Sequence, residues 1–116
     1  MRITLEIISD IVNTYSEDKV TVKHRTGDHP FYRGLYLFMG RKYGGTSDNK
    51  VAKFIDMDHT MVNYWVNNLE GWFFTRKDLK WVFDSVDREI RHKMEMLSGV
   101  EVLDYQAQEV LNRMTA

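Results

Sequence analysis

Apolar side chains recur every three or four residues along most of this 116-residue chain, and that spacing is its most restrictive feature. An α-helix turns once in 3.6 residues, so such a repeat gathers apolar side chains on one helical face. The repeat is strongest in the segments of about 3–12, 30–42, 47–55, 58–69, 75–97 and 100–114. The sequence therefore predicts an all-α fold, a compact helical domain occupying residues 1–116 as one unit.

Composition removes several classes of protein. The chain contains no cysteine, which excludes disulfides, thiolate zinc sites and a cysteine nucleophile and suits a reducing compartment. The N-terminus mixes charged and apolar residues and is unlike a signal peptide. Apolar runs fall short of the ~18 residues that cross a bilayer. We expect a cytoplasmic protein with no membrane partner.

Residues that begin or end helices divide the central part of the chain. Pro30 suits the first turn of a helix, and the glycine pair 44–45 ends that helix. A hydroxyl residue at 46 or 47 can cap a third helix, with Val51, Ala52, Phe54 and Ile55 toward the core. A tight turn at 56–57 follows, and Asp58 is the expected N-cap of a fourth helix.

The flanking segments are predicted from weaker signals. Residues 16–29 are expected to form a basic loop, with a short strand at 20–22 as the alternative. Thr75 and Asp78 have the spacing of a capping box that would open a long helix. The pair 98–99, Ser-Gly, is expected to break that helix.

The fourth predicted helix has two different faces. One is apolar and is expected to be buried: Val62, Trp65, Val66 and Leu69. The other is polar yet almost uncharged, which is unusual for a merely solvated surface: Thr60, Asn63, Tyr64, Asn67 and Asn68. Two short helices joined by a tight turn, the second with small polar side chains, form the pattern of a helix-turn-helix for double-stranded DNA.

Basic residues are concentrated ahead of this pattern. The formal net charge is −1, which argues against indiscriminate binding of nucleic acid. Residues 21–45 nevertheless carry only Asp28 against five basic side chains, namely Lys23, Arg25, Arg33, Arg41 and Lys42. We expect these five to contact the DNA backbone, where they fix register without reading sequence.

Residues 57–62, Met-Asp-His-Thr-Met-Val, carry a family resemblance. Together with the preceding helix they resemble the C-terminal DNA-binding domain of the bacterial chromosomal replication initiator (DnaA), over about residues 20–90. That family has Arg-Asp-His, two hydroxyl residues and Val at the start of its recognition helix. Met57 stands here for the Arg and Met61 for the second hydroxyl residue. A different target sequence, or weaker binding, follows from those two departures.

The resemblance implies sequence-specific binding in the major groove. Asp58, His59 and Thr60 would read bases, Asn63 and Tyr64 lie on the same face, and Arg25 would reach toward the minor groove. The initiator's nucleotide-binding Gly-x-x-x-x-Gly-Lys-Ser/Thr motif does not occur. The expected role is that of a stand-alone DNA-binding protein in replication or transcription control, for example from a phage or mobile element.

Other readings of the same residues are less well supported. Asp56, Asp58 and His59 lie close together, but no second group of ligands accompanies them, so we expect neither a metal nor a cofactor. No nucleophile, base and orienting group occur together, so we do not expect an enzyme. The alternative function is a protein-interaction module that keeps the fold without binding DNA. The helical extension at about 91–116 either packs back onto the domain or forms a homodimer.

Overall fold

A computed structural model of the protein describes residues 3–23 and 26–115, with side chains as far as residue 98. Within these residues the chain is all-α, as predicted, and no strand is present. The helices are α1 (Leu5–Asn13), α2 (His29–Tyr43), α3 (Asp48–Phe54), α4 (Val62–Asn67), α5 (Leu69–Thr75) and α6 (Lys77–Thr115). A 3-10 turn, His59–Met61, leads directly into α4.

Helix α2 is the centre of the fold. It contacts α1, α3, α4 and α5, and it is apolar around most of its circumference, as expected for a helix enclosed by others. Its fully buried side chains are Phe31, Leu35, Tyr36, Leu37 and Met39. Buried side chains from the other helices and from the loops between them pack around these residues: Ile8, Val12, Val20, Val51, Ile55, Val62, Leu69, Leu79, Val86 and Ile90. Phe54, expected in the core, stacks on Tyr36 at the core edge and is partly exposed.

The segment between α1 and α2 is an irregular loop over its described residues, so the alternative strand at 20–22 does not form. The loop packs onto the core through Val20, whose side chain is fully buried. Its backbone N–H donates to the Asn13 side-chain oxygen at 2.9 Å. These contacts bring the end of α1 and the beginning of α2 together without a β-ladder. Residues 24 and 25 lie outside the described part of the chain.

The predicted capping box at Thr75 and Asp78 is wrong. Thr75 is the last residue of α5, and its hydroxyl donates back to the carbonyl oxygens of Gly71 and Trp72. Arg76 then adopts an extended conformation and pairs with both Asp28 and Asp78. The hydroxyl therefore closes the preceding helix instead of opening the next one.

The predicted break at 98–99 is also wrong, because α6 runs without interruption from Lys77 to Thr115. Glycine costs a helix roughly 1 kcal/mol relative to alanine but does not exclude helical dihedral angles. The apolar repeat of this segment faces the core, where Leu79, Val82, Val86 and Ile90 are buried and Phe83 and Leu97 are partly buried. No helix in the described residues is long and apolar enough to cross a membrane.

Candidate nucleic-acid interface

Helices α3 and α4 and the turn between them form the predicted helix-turn-helix. The Ser47 hydroxyl oxygen accepts from the Lys50 backbone N–H at 3.3 Å and so caps α3. Val51 and Ala52 are buried beneath α3, against α2. Gly40 of α2 makes this close approach feasible, because a Cβ there would lie only 2.6 Å from a Val51 methyl group.

The turn after α3 depends on an aspartate in the left-handed region. Asp56 has φ of 55°, and its N–H donates to the Lys53 carbonyl, while the Met57 N–H donates to Ala52. This pair of bonds is a Schellman motif, which normally uses glycine at the left-handed position. Met57 is partly buried against the core. Met57 therefore supplies the apolar contact that accompanies such a turn.

Asp58 begins the next helix, as predicted. Its Oδ1 accepts from the Thr60 N–H and from the Thr60 hydroxyl, both at 2.9 Å. These two hydrogen bonds keep the pKa of the Asp58 carboxyl below its usual range. The carboxylate is therefore ionised near neutral pH, and His59 Nδ1 lies 3.5 Å from the same Oδ1.

The two predicted faces of the fourth helix are separated in the structure. Val62 is fully buried, and Trp65 and Val66 pack against the core from partly buried positions. On the other side, the His59 side chain is 57% exposed and Tyr64 is 59% exposed. Asp58, Thr60, Asn63, Asn67 and Asn68 are exposed as well. The five predicted base-reading residues thus lie along one exposed stretch.

Arg41 joins three helices at the edge of this stretch. Its Nε and Nη2 donate to the two carboxylate oxygens of Asp48, at 3.1 and 2.8 Å. Nη2 also donates to Asn63 Oδ1 at 2.7 Å. The hydrogen bonds between Arg41 and Asp48 raise the arginine pKa and lower that of Asp48. Arg41 therefore fixes the position of α4 side chains in addition to carrying charge.

Arg33 does not fit its predicted role as a contact to the DNA backbone. Only 6% of its surface is exposed. Its Nε donates to the Val20 carbonyl at 3.1 Å, and Nη2 donates to the Ile55 carbonyl at 2.9 Å. The guanidinium thus ties the loop before α2 to the end of α3, inside the fold and away from any phosphate.

The other residues that were predicted to contact the DNA backbone have different surroundings. Lys23 pairs with Asp56 at 2.6 Å and Lys42 with Asp87 at 3.3 Å, and both ammonium groups remain about half exposed. The Lys23–Asp56 pair is exposed on both sides and therefore weak, so Lys23 can exchange its partner for a phosphate at little cost. Lys42 is held more firmly, because the Asp87 side chain is only 15% exposed. Arg25 lies outside the described residues.

Two basic residues of α3 escaped the sequence-based prediction. Lys50 and Lys53 are exposed and lie three residues apart, so they share one side of the helix. The predicted basic stretch stopped at residue 45, before these lysines. Their i,i+3 spacing on a predicted helix was the signal that could have identified them.

Comparisons with protein-family models, curated proteins and solved structures find no match. The resemblance to the initiator domain therefore stays a sequence-based prediction. In the described part of the chain, no group of three or more His, Cys, Asp or Glu side chains could hold a metal ion.

Proposed function

We propose that the protein binds double-stranded DNA sequence-specifically, with the 3-10 turn and α4 in the major groove. The observation that carries this proposal is the exposed polar stretch from Asp58 to Asn68, which is rich in hydrogen-bonding groups and poor in charge. The major groove accommodates an α-helix, and each base pair presents a distinct set of donors and acceptors there.

Each exposed side chain suits a different contact. The ionised Asp58 accepts hydrogen bonds, as a cytosine amino group requires. The Thr60 hydroxyl already donates to Asp58, which leaves its lone pairs and its methyl group for the DNA. His59 and Tyr64 are the most exposed rings of the turn and helix, so both are available to contact base edges.

Phosphate contacts would come from lysines flanking the helix. Lys50 and Lys53 on α3, together with Lys23 and Lys42, are exposed and available for such contacts. Such contacts orient a protein on the duplex, and the base edges supply specificity. The net charge of −1 is compatible with phosphate contacts, because these need basic side chains only in one part of the surface.

The resemblance to the initiator domain extends the proposal to replication or transcription control by a stand-alone DNA-binding protein. A homodimer formed through α6 would present two such helices to a two-fold symmetric site. Sedimentation at several protein concentrations distinguishes a dimer from a monomer.

Selection from randomised duplex DNA, performed at two salt concentrations, tests the proposal. We expect an enriched motif whose affinity falls steeply with salt, because each neutralised phosphate releases counterions. A His59→Ala, Thr60→Ala double variant should lose the motif while keeping its helical circular dichroism. His92→Ala, an exposed histidine on α6, is the matched control. Unchanged selection by the double variant would exclude the named site.

A second candidate, a protein-interaction module, is favoured by a separate surface. The Phe74 side chain is 89% exposed and borders an apolar groove formed with Phe73, Lys77 and Lys80. Aromatic rings supply much of the binding energy at protein–protein interfaces, and the exposed Phe74 ring is available to a partner. A protein partner that co-purifies after nuclease treatment and is lost with Phe74→Ser would support this function, whereas salt-sensitive DNA selection without such a partner would exclude it.

A further inference from the structure

We infer that Arg41 sets the base preference of Asn63, so that Asn63 reads guanine in place of adenine. This inference rests on the proposed DNA binding through α4. It concerns a positioning residue, because Arg41 acts on the base through Asn63.

The orientation of the Asn63 amide follows from the chemistry of its neighbour. Arg41 Nη2 lies 2.7 Å from Asn63 Oδ1. A guanidinium group can only donate, so the atom that faces it must be the carbonyl oxygen. The amide nitrogen, with its two hydrogens, occupies the other branch of the side chain.

Arg41 is itself held in place. Its two hydrogen bonds to Asp48 form a bidentate pair, which is the strong and geometrically specific form of an arginine–carboxylate contact. Asp48 is the first residue of α3, and Arg41 lies in the last turn of α2. The packing of these two helices therefore fixes the guanidinium beside α4 before any DNA is bound.

The usual recognition of adenine by asparagine needs both ends of the amide. The carbonyl oxygen accepts from the adenine amino group, and the amide nitrogen donates to N7. Here the oxygen already accepts a charge-assisted bond from Arg41, and the guanidinium occupies one of the approaches that an incoming amino group would use. The pairing with adenine is therefore weakened.

Guanine meets the opposite situation. Its major-groove edge has two adjacent acceptors, N7 and O6, and no donor. The two amide hydrogens of Asn63 match such an edge, and the Arg41 bond to Oδ1 leaves both hydrogens available for it. Guanine is therefore the base that best fits the Arg41–Asn63 pair.

Selection from randomised duplex DNA with the full chain tests the inference. Asn63→Ala identifies the motif position that Asn63 reads, and the wild-type protein should specify guanine there. Arg41→Met removes the guanidinium and frees the carbonyl oxygen. We expect the preference at that position to move toward adenine by about tenfold, the scale of one bidentate contact. Lys93→Met is the matched control, since it removes one exposed positive charge from α6 and should leave the preferred base unchanged.

The outcomes separate the inference from the proposed function. An enriched motif with adenine at the Asn63 position of the wild type overturns the inference and leaves DNA binding intact, whether or not Arg41→Met folds. A uniform loss of affinity in Arg41→Met, with guanine retained, also overturns it. If the wild-type protein enriches no motif at all, both the inference and the proposed function fail.

Discussion

Arg33 and Arg41 belong to the same helix, and their surroundings give the two guanidinium groups different roles. Arg33 is buried and donates to carbonyl oxygens of two distant segments. Arg41 lies at the surface, where it joins α2 to α3 and to α4. Whether an arginine acts as a buried link or as a surface contact therefore depends on which carbonyl or carboxylate groups the fold places beside it.

Replacing Arg33 with methionine should lower the free energy of unfolding by about 2–4 kcal/mol, because two buried carbonyls would lose their donors. Urea unfolding followed by circular dichroism measures the change. Lys53→Met, an exposed substitution on α3, should stay within about 0.5 kcal/mol of the wild type. Equal midpoints for the two variants would mean that Arg33 does not hold the loop to α3.

Tyr36→Phe should cost about 1 kcal/mol, the net worth of one buried hydrogen bond. The Tyr36 hydroxyl donates to the Val51 carbonyl at 2.8 Å, and the ring is fully buried. Burial also raises the pKa of this phenol, so it stays protonated throughout the ordinary pH range. Thermal unfolding is the measurement, and an unchanged melting temperature would show that water or another donor replaces the hydroxyl.

At the scale of elements, the beginnings of helices were the most predictable features. The side chains of Ser47 and Asp58 accept hydrogen bonds from backbone N–H groups two or three residues later. The residues that determine where these helices begin are therefore close together in the sequence. The same local reasoning failed at Thr75, where the hydroxyl bonds to the preceding turn. It also failed for Arg33, whose partners at 20 and 55 are brought together only by tertiary packing. The exposed stretch of the candidate site was predictable from helical spacing, whereas the Arg41–Asn63 contact was not.

Two glycine-to-alanine substitutions should act in opposite directions. At Gly40 a methyl group would meet Val51 at 2.6 Å and push α2 and α3 apart, at a cost of about 1–3 kcal/mol. At Gly71, in α5, nothing lies within 4 Å, and alanine should add about 0.5–1 kcal/mol through helix propensity. Denaturant unfolding of both variants tests the pair, and a stabilised Gly40→Ala protein would refute the close packing of α2 on α3.

For the whole molecule, Asp87 links the central helix to α6. It accepts from the Tyr43 hydroxyl at 2.5 Å and from Lys42, and Arg91 lies 3.1 Å away on the next turn of α6. Asp87 therefore joins the last turn of α2 to the N-terminal part of the longest helix.

Acid should weaken this link. Burial by itself raises the pKa of Asp87, but hydrogen bonds from Tyr43 and Lys42 outweigh it and hold the pKa below the ordinary value of 3.8. A carboxyl with a depressed pKa in the folded state stabilises the fold above its unfolded pKa, and that contribution is lost as pH falls through the folded value. We expect the melting temperature to drop below about pH 4. Asp87→Asn should show a shallower drop, and an identical profile would exclude Asp87 as a cause.

The contact between Arg41 and Asn63 has a consequence for engineering. The candidate interface is encoded by two separate parts of the sequence, since α2 contributes the guanidinium that orients a side chain of α4. A graft of residues 58–68 into another helix-turn-helix would leave that guanidinium behind, and the transplanted asparagine would be free to rotate. A faithful transplant must include Arg41 and Asp48 at matching positions, so the unit to transplant is the corner formed by α2, α3 and α4 and not α4 alone.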